Sequence, residues 1–417
     1  MKIGLFTIAS KNYLPYARVL FQSVERIHPE YRRILCLVDE VDGYFDPKNE
    51  RFEVVLASQL GIDAFPDMKI RYDIMELNTA VKPFMIEWLF NQSDLDAVIY
   101  LDPDIRVYER FDYLESKIVA GASVLLTPHI TRPVEDASTP NDYHMLQSGV
   151  FNLGFVAVRR CPEAFMFLRW WGRRLKTQCA ADFSVNLFTD QRWCDLAPCF
   201  LDNLIVIKKA GYNVAYWNLM QRAVSRDESG SWRVDGDPLV FFHFSGVNAD
   251  DPRSVSKHQN RFDWDDLGQV NLLFQGYVDS LFVAGWNFCK TWPYAYSTIS
   301  GSFPLVNILR KFYRNEYPES RVSSDSSDLA KHLQSVCNIP AVELPNFSGV
   351  IISRLMVFIY RSRNDLQKSF DLNCLEGQKN YSYWFAASAC REYGLPEIFT
   401  DQKIIKEFYN QRLEKKN

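Results

Sequence analysis

Residues 98–105 read VIYLDPDI, an apolar strand running straight into Asp102-Pro103-Asp104. A strand with no polar alternation is one buried on both faces, and the C-terminal ends of such strands are where open α/β sheets bind ligands. Pro103 stiffens the turn, so both carboxylates are presented with little freedom. Two hard oxygen ligands suit Mg2+ or Mn2+ held against a diphosphate, whose oxygens complete the octahedron. An acidic turn after a strand is also a common structural device, so its meaning depends on what accompanies it.

The chain of 417 residues is long enough for one large domain with an appendage, or for two to three domains. With 47% hydrophobic and 15% aromatic residues it can bury a large core. The formal net charge of −4 argues against nucleic acid as a main partner. Nine scattered cysteines contain no C-x-x-C pair, and the odd number fits free thiols in a reducing compartment. The opening MKIGLFTIAS turns polar too soon for a signal peptide, and no apolar run has a membrane span's length. These features lead to the expectation of a soluble, cytoplasmic protein.

Working outward from residue 98, the first 250 residues alternate strand-like runs with helical periodicity. Strands are predicted at 2–9 (KIGLFTIA), 33–39 (RILCLVD), 52–57 (FEVVLA), 122–127 (ASVLLT), 154–158 (GFVAV), 203–207 (NLIVI) and 239–244 (LVFFHF). Leu14, Ala17, Leu20, Val24 and Ile27 mark one amphipathic helix; Val81, Phe84, Met85, Trp88 and Leu89 mark another. Such alternation predicts an α/β protein, a mostly parallel sheet flanked by helices. Beyond residue 262 strand signals fade. Helical stretches at 302–314, 350–370 and 401–415 take over, interrupted by a polar break at 322–328 (VSSDSSD). The expected division is therefore 1–262 and 263–417, the second part mainly helical and serving acceptor, membrane or partner contact.

Four further segments carry candidate chemistry. In 149–154, GVFNLG, Gly154 in a strand marks a close approach, and Asn152 either bonds a sugar hydroxyl or completes a bulge. In 189–195, TDQRWCD, Asp190 either acts with Gln191 or caps a helix. In 211–218, GYNVAYWN, Asn213 and Asn218 need partners if buried. In 241–246, FFHFSG, His243 ends a strand, as Asp102 does, and a neutral imidazole can complete an Asp/Asp/His set. Lys257 or His258 on the loop that follows would face the diphosphate.

Taken in order, Asp-x-Asp after a strand, Asn-x-Gly, Asp-Gln and a late His followed by Lys resemble a GT-A fold glycosyltransferase. The sequence is most similar to the family 8 group of retaining, UDP-sugar-dependent enzymes, including those of bacterial surface-polysaccharide synthesis. Segments 77–83 (LNTAVKP), 126–129 (LTPH), 149–158, 211–218 and 243–246 carry the likeness, which covers about residues 1–262. The resemblance implies that Asp102, Asp104 and His243 bind Mn2+ (or Mg2+) bridging the UDP diphosphate, with Lys257 on the phosphates. It further implies Asn152, Gly154 and Lys82 as donor contacts, Asp190 and Gln191 as the catalytic pair, and Thr7, Ala9 and Tyr13 as the nucleoside pocket. After His243 the family pattern is H-x-x-G-x-x-K-P-W; here a longer polar insert precedes Lys257 and no Pro-Trp follows it.

The chemistry explains the residue types. Departure of UDP puts charge on the diphosphate, which a divalent cation and a Lys stabilise, and the sugar passes through an oxocarbenium-like state. Asp190 and Gln191 would orient donor and acceptor for attack from the face UDP leaves, or Asp190 would itself be a covalent nucleophile. The expected partners are a nucleotide-sugar donor and a saccharide or lipid-linked acceptor of lipopolysaccharide or capsule synthesis. The alternative is a non-catalytic nucleotide-sugar or saccharide binding module. A nucleotidylyltransferase would need a Gly-rich loop after the first strand, and 7–12 (TIASKN) has no Gly. A dehydrogenase would need G-x-G-x-x-G, which follows no strand. In 354–368 (RLMVFIYRSRNDLQK) apolar residues alternate with basic ones. That stretch either lies on an anionic membrane, consistent with peripheral attachment, or packs on the rest of the protein. Trp286, Trp292, Tyr294 and Tyr296 either stack on acceptor sugars or belong to the core.

Overall fold

A computed structural model describes residues 1–299, 303–319 and 326–400, with side chains from 331 onward in the last range. The chain forms two compact units: Met1–Ile62 with Ile74–Tyr294, and Asp63–Asp73 with Ala295 onward.

The first unit is built on a seven-stranded sheet. β1 (Ile3–Ala9), β2 (Arg32–Leu37), β3 (Glu53–Leu56) and β4 (Ala97–Leu101) run parallel in the order β3-β2-β1-β4. Beyond β4 the order continues through β7 (Phe151–Arg159), β6 (Val124–Pro128) and the strand Leu204–Val206. β7 alone is antiparallel to its neighbours β4 and β6. β1 and β4 are buried along their whole length, which is why they read as unbroken apolar runs. Helix α1 (Leu14–Ile27) starts on Pro15, whose fixed φ suits a first turn, and buries Leu14, Ala17, Leu20 and Val24. The α/β architecture expected from the sequence is present, with each strand found within a few residues of its expected place.

One strand has a different role from the one its sequence suggests. Phe241–His243 lies outside the large sheet, paired antiparallel with β5 (Ile105–Val107), the strand that follows Asp104. The register sets His243 opposite Ile105, and the Phe244 N–H donates to the Asp104 carbonyl at 2.8 Å. β5 is too short to show in the sequence pattern, being three residues set behind a turn.

The expected boundary at 262 moves to Tyr294. Helix Asn271–Val283 buries Leu273, Phe274, Tyr277, Val278 and Leu281 in one cluster with Tyr16, Val19, Phe242 and Phe244. The Tyr277 ring stacks on Phe244 at 3.9 Å and 5°. This helix covers the ribbon that carries His243, so the first unit continues past the point where strand signals fade.

In the second unit, helix Asn307–Glu316 and helix Arg354–Arg361 supply much of the core, with Leu309, Phe312, Tyr313, Leu355, Met356 and Ile359 buried. Arg310 is buried and donates to the carbonyls of Leu305, Lys69, Ile70, Tyr72 and Tyr296, five acceptors that compensate its lost hydration. The stretch 354–368 turns its apolar residues inward. Arg354 pairs with Glu316, and Arg361 lies 3.4 Å from Glu343, so its basic face is solvated and paired. Trp286 packs edge-on against Tyr16 at 5.5 Å, Trp292 lies against Tyr44 and Phe45, and Tyr296 is buried, so these rings serve packing. Of the polar break 322–328, residues 322–325 lie outside the described residues and 326–328 begin helix Ser326–Cys337. The helix expected at 401–415 also lies outside the described residues. Among the described residues no helix is long and apolar enough to cross a membrane.

Tyr277 is fully buried and its hydroxyl has no hydrogen-bond partner among the described residues. Tyr277→Ala is therefore expected to cost roughly 3–5 kcal/mol of unfolding free energy. Tyr277→Phe removes the unsatisfied hydroxyl and is expected to be neutral or stabilising by about 1 kcal/mol. Urea unfolding of the two variants checks both signs.

Candidate active site

The turn Asp102-Pro103-Asp104 sits at the C-terminal end of β4 and is held from both sides. The Asp102 N–H donates to the Gly154 carbonyl of β7 at 2.8 Å, and the Ile105 N–H closes onto the Asp102 carbonyl at 3.1 Å. The ribbon then brings in His243, with Nε2 at 3.0 Å from Asp104 Oδ1 and 3.7 Å from Asp102 Oδ2. One ligand atom from each of Asp102, Asp104 and His243 lies within 4.8 Å of the other two, so the three form a candidate cation site.

Gly154 has a reason beyond a ligand's approach. A Cβ built there would stand 2.4 Å from His243 Cε1 and 2.8 Å from both His243 Nδ1 and Asn152 Oδ1. The imidazole occupies the space where a side chain would be, and only glycine lets the ribbon close onto β7.

Burial and neighbouring charge act on the members of the triad in opposite directions. Burial pushes the Asp102 carboxyl up, against the opposing pull of Lys82 and His243. Burial works to lower the His243 imidazole, yet the nearby Asp104 and Asp102 carboxylates outweigh it and hold it above its ordinary value. The Asp102 shift thus reports burial, and the His243 shift reports the two carboxylates beside it. Two carboxylates and one imidazole fit Mn2+ or Mg2+, and an imidazole among them suits Mn2+ better.

Asp190 and Gln191 stand beside this site. Lys82 Nζ lies 2.6 Å from Asp190 Oδ2 and 2.8 Å from the Leu153 carbonyl, and 4.3 Å from the centre of the Tyr100 ring. The Tyr100 hydroxyl donates to Asp102 Oδ1. A continuous chain, Asp190–Lys82–Tyr100–Asp102, thus links the Asp-Gln pair to the triad. The Lys82 and Asp190 side chains are only 1% and 2% exposed, so neither charge could be there without the other. The other Asp190 oxygen accepts from Thr189 Oγ1 at 3.3 Å. Gln191 Nε2 donates to the Ser148 carbonyl at 2.6 Å, and its Oε1 lies 3.5 Å from the Leu153 N–H. Asp190 does stand at the start of helix Gln191–Cys194, but its side chain makes no capping bond there.

Asn152 belongs to a buried polar network. Its Oδ1 accepts from Asn213 Nδ2 at 3.0 Å and from the Gly154 N–H at 3.3 Å, and its Nδ2 faces His129 Nε2 at 3.3 Å. Asn218 Nδ2 donates to the carbonyls of His129 and Asn213. Trp217 sets its ring edge-on to both His243, at 5.1 Å, and His129, at 5.5 Å. Thr7 is buried in β1 and its Oγ1 has no protein partner; the carbonyl of Ala9, at the end of β1, accepts from Val38. Tyr13 is half-exposed and stacks on Tyr16 at 4.6 Å. Lys257 is exposed and touches the turn only through its backbone N–H, which donates to the Gly246 carbonyl at 3.2 Å.

Three groups near the strand ends carry little sequence signal as single residues. Tyr100 reads as one apolar residue among five. His129 reads as the end of a strand. Lys11 reads as surface, yet it is fully buried, with Nζ 3.2 Å from Asp39 Oδ1 and 2.8 Å from Asp42 Oδ2 at the ends of β1 and β2. The lone lysine followed by a buried strand ending in Asp39 was the available clue.

No protein-family profile matches the chain. It is 27% identical over 247 residues to the uncharacterized protein YfnF of Bacillus subtilis strain 168, an alignment covering 58% of this chain and 80% of that one. It is 26% identical over 211 residues to the uncharacterized protein YfnD of the same organism, covering 48% and 63%. Among solved structures it is similar to the galactosyltransferase LgtC in complex with donor and acceptor sugar analogues, at 16% identity and a TM-score of 0.41, covering 66% of this chain and 95% of that one. It is also similar to the glycosyltransferase GlyE of Streptococcus pneumoniae TIGR4, at 14% identity and a TM-score of 0.39, covering 70% and 65%.

Two predictions follow from this geometry. Gly154→Ala is expected to push the His243 ring aside and weaken Mn2+ binding at least about tenfold, measured by calorimetry on the folded variant. Burial lowers His129 to about 4, so between that value and the ordinary 6.5 the unfolded chain binds a proton that the folded chain does not. Stability is therefore expected to fall as pH drops through that window, by up to the order of 3 kcal/mol from this residue. Urea unfolding at pH 7.5 and pH 5 checks it, with His129→Gln expected to show the smaller loss.

Proposed function

We propose that the protein is a metal-dependent glycosyltransferase that moves a hexose from a UDP-sugar to a saccharide or lipid-linked saccharide. The observation that carries this reading is the convergence of Asp102, Asp104 and His243 at the mouth of β4, with Asp190 and Gln191 joined to them through Lys82 and Tyr100. Asp102, Asp104 and His243 hold Mn2+ or Mg2+, which when bound supplies positive charge for a leaving diphosphate. Asn152, Gly154 and Lys82 lie on the donor side, and Thr7, Ala9 and Tyr13 face the nucleoside.

Lys82 contributes a fixed ammonium in a water-poor setting, where charge stabilisation needs no reorganisation. Both Asp190 oxygens are engaged, by Lys82 and Thr189, which favours a positioning role for Asp190 over direct attack on the sugar. Gln191, anchored through Ser148, lines the same wall and orients donor and acceptor so that attack comes from the face UDP leaves. Retention of configuration follows from that geometry of approach. The second unit is assigned to acceptor or partner contact, in the synthesis of a bacterial surface polysaccharide.

The test is UDP release from a panel of UDP-sugars with Mn2+, with and without EDTA. One donor is expected to turn over slowly with water as acceptor, EDTA to abolish the release, and Asp104→Ala to lower it by about 100-fold or more. Donor binding without release by any sugar would instead define a nucleotide-sugar binding module.

A further inference from the structure

Helix α1, β5 and helix Asn271–Val283 enclose a cleft of about 1090 Å3 in the first unit, and none of the residues assigned above to the cation or the donor lines it. Part of its wall is apolar. Phe21 and Phe52 meet there with ring centres 4.6 Å apart, and Val283, on the same wall, is 90% exposed.

Four arginines share this cleft, and they differ in what answers their charge. Arg18 binds the Glu50 carboxylate through Nε at 3.0 Å and Nη2 at 2.5 Å, and Arg51 lies 3.6 Å from Glu25 Oε2. Arg26 and Arg106 have no carboxylate within ion-pair distance among the described residues. Asp279, also on the cleft, accepts from Gln275 Nε2 at 2.9 Å.

Arg106 is half-buried and held in place. Its Nη1 donates to the Gly276 carbonyl at 3.2 Å and to Ser280 Oγ at 3.1 Å, while Nε and Nη2 have no acceptor among the described residues. Arg310 in the second unit shows the contrast, since five carbonyls seal its guanidinium. A guanidinium partly removed from water, oriented by neutral groups and left without counter-charge, is a setting that an oxyanion completes. Arg26, exposed on α1, brings a second planar fork to the same space. The cleft is far larger than an oxyanion needs. It has the room of an organic ligand site, typically about 300–1,000 Å3.

We propose that this cleft is a second ligand site, separate from the cation triad, that takes a phosphate monoester with an apolar body. The oxyanion meets Arg106 and Arg26, and the apolar part lies against Phe52 and Val283. The proposal does not rest on the nucleotide-sugar reading above.

The test is calorimetric titration of the full chain with hexyl phosphate and with inorganic phosphate, in EDTA so that no cation at the triad holds either probe. Wild type is expected to bind one hexyl phosphate per chain, about tenfold or more tightly than inorganic phosphate. Arg106→Gln and Arg26→Gln are each expected to weaken that binding by about tenfold. Arg26 makes no bond within the described fold, so its variant keeps the test open if Arg106→Gln loses structure. Sedimentation with phosphatidylcholine vesicles that contain phosphatidic acid, lost in Arg26→Gln, would support the site with a lipid headgroup as its monoester. Hexyl phosphate binding without such sedimentation would support it with a soluble ester. No hexyl phosphate binding by wild type, or binding unchanged in Arg26→Gln, overturns the proposal. Equal affinity for the two probes overturns its apolar part.

Discussion

The His243 ring fills the space beside Gly154, and the closing of Asp102, Asp104 and His243 into one cluster depends on that contact. β7 runs against the direction of its neighbours, so its early residues pass beside the end of β4. Asp102 bonds to it through the backbone, and His243 closes onto it from the other side. The short ribbon made by β5 and Phe241–His243 is what closes the three together, and helix Asn271–Val283 covers that ribbon. The mouth of the sheet is thus supported by residues that lie beyond position 262.

The second constraint is electrostatic. Lys82 and Asp190 are both removed from water, and each is tolerated because the other is at 2.6 Å and backbone or hydroxyl groups satisfy what remains. Such pairs are weak devices for stability and good ones for holding a charge in one orientation. Asn152, Asn213, Asn218 and His129 share several bonds in the same way, although Asn213 Oδ1 and His129 Nδ1 find no partner among the described residues. A rigid polar floor of this kind lets a site discriminate among hydroxylated ligands, since an unpaired group there is costly.

Legibility in the sequence followed the length and repetition of each signal. The strands of the large sheet are unbroken apolar runs, and the two helix faces repeat every three or four residues, so both could be read. Asp102, Asp104 and His243 could be read because polar residues at the ends of apolar strands stand out. β5 could not, because three residues carry no period. The fading of strand signals near residue 262 does not mark the unit boundary, since a helix looks the same whether it opens a new unit or covers the old one. The apolar face of 354–361 looked equally suited to a membrane and to a core; packing decided for the core.

What the sequence by itself determined is the set of elements and the chemistry each can offer: buried strands, amphipathic helices, acids at strand ends, a glycine where something comes close. These are local properties, written in composition and period. What only the tertiary structure decided is which of those groups meet. His243 meets Asp104 through an antiparallel register, Lys82 meets Asp190 in a water-poor interior, and Trp217 meets His243 edge-on. Those meetings depend on strand pairing and burial between residues far apart in the chain, and no local pattern encodes the distance between them.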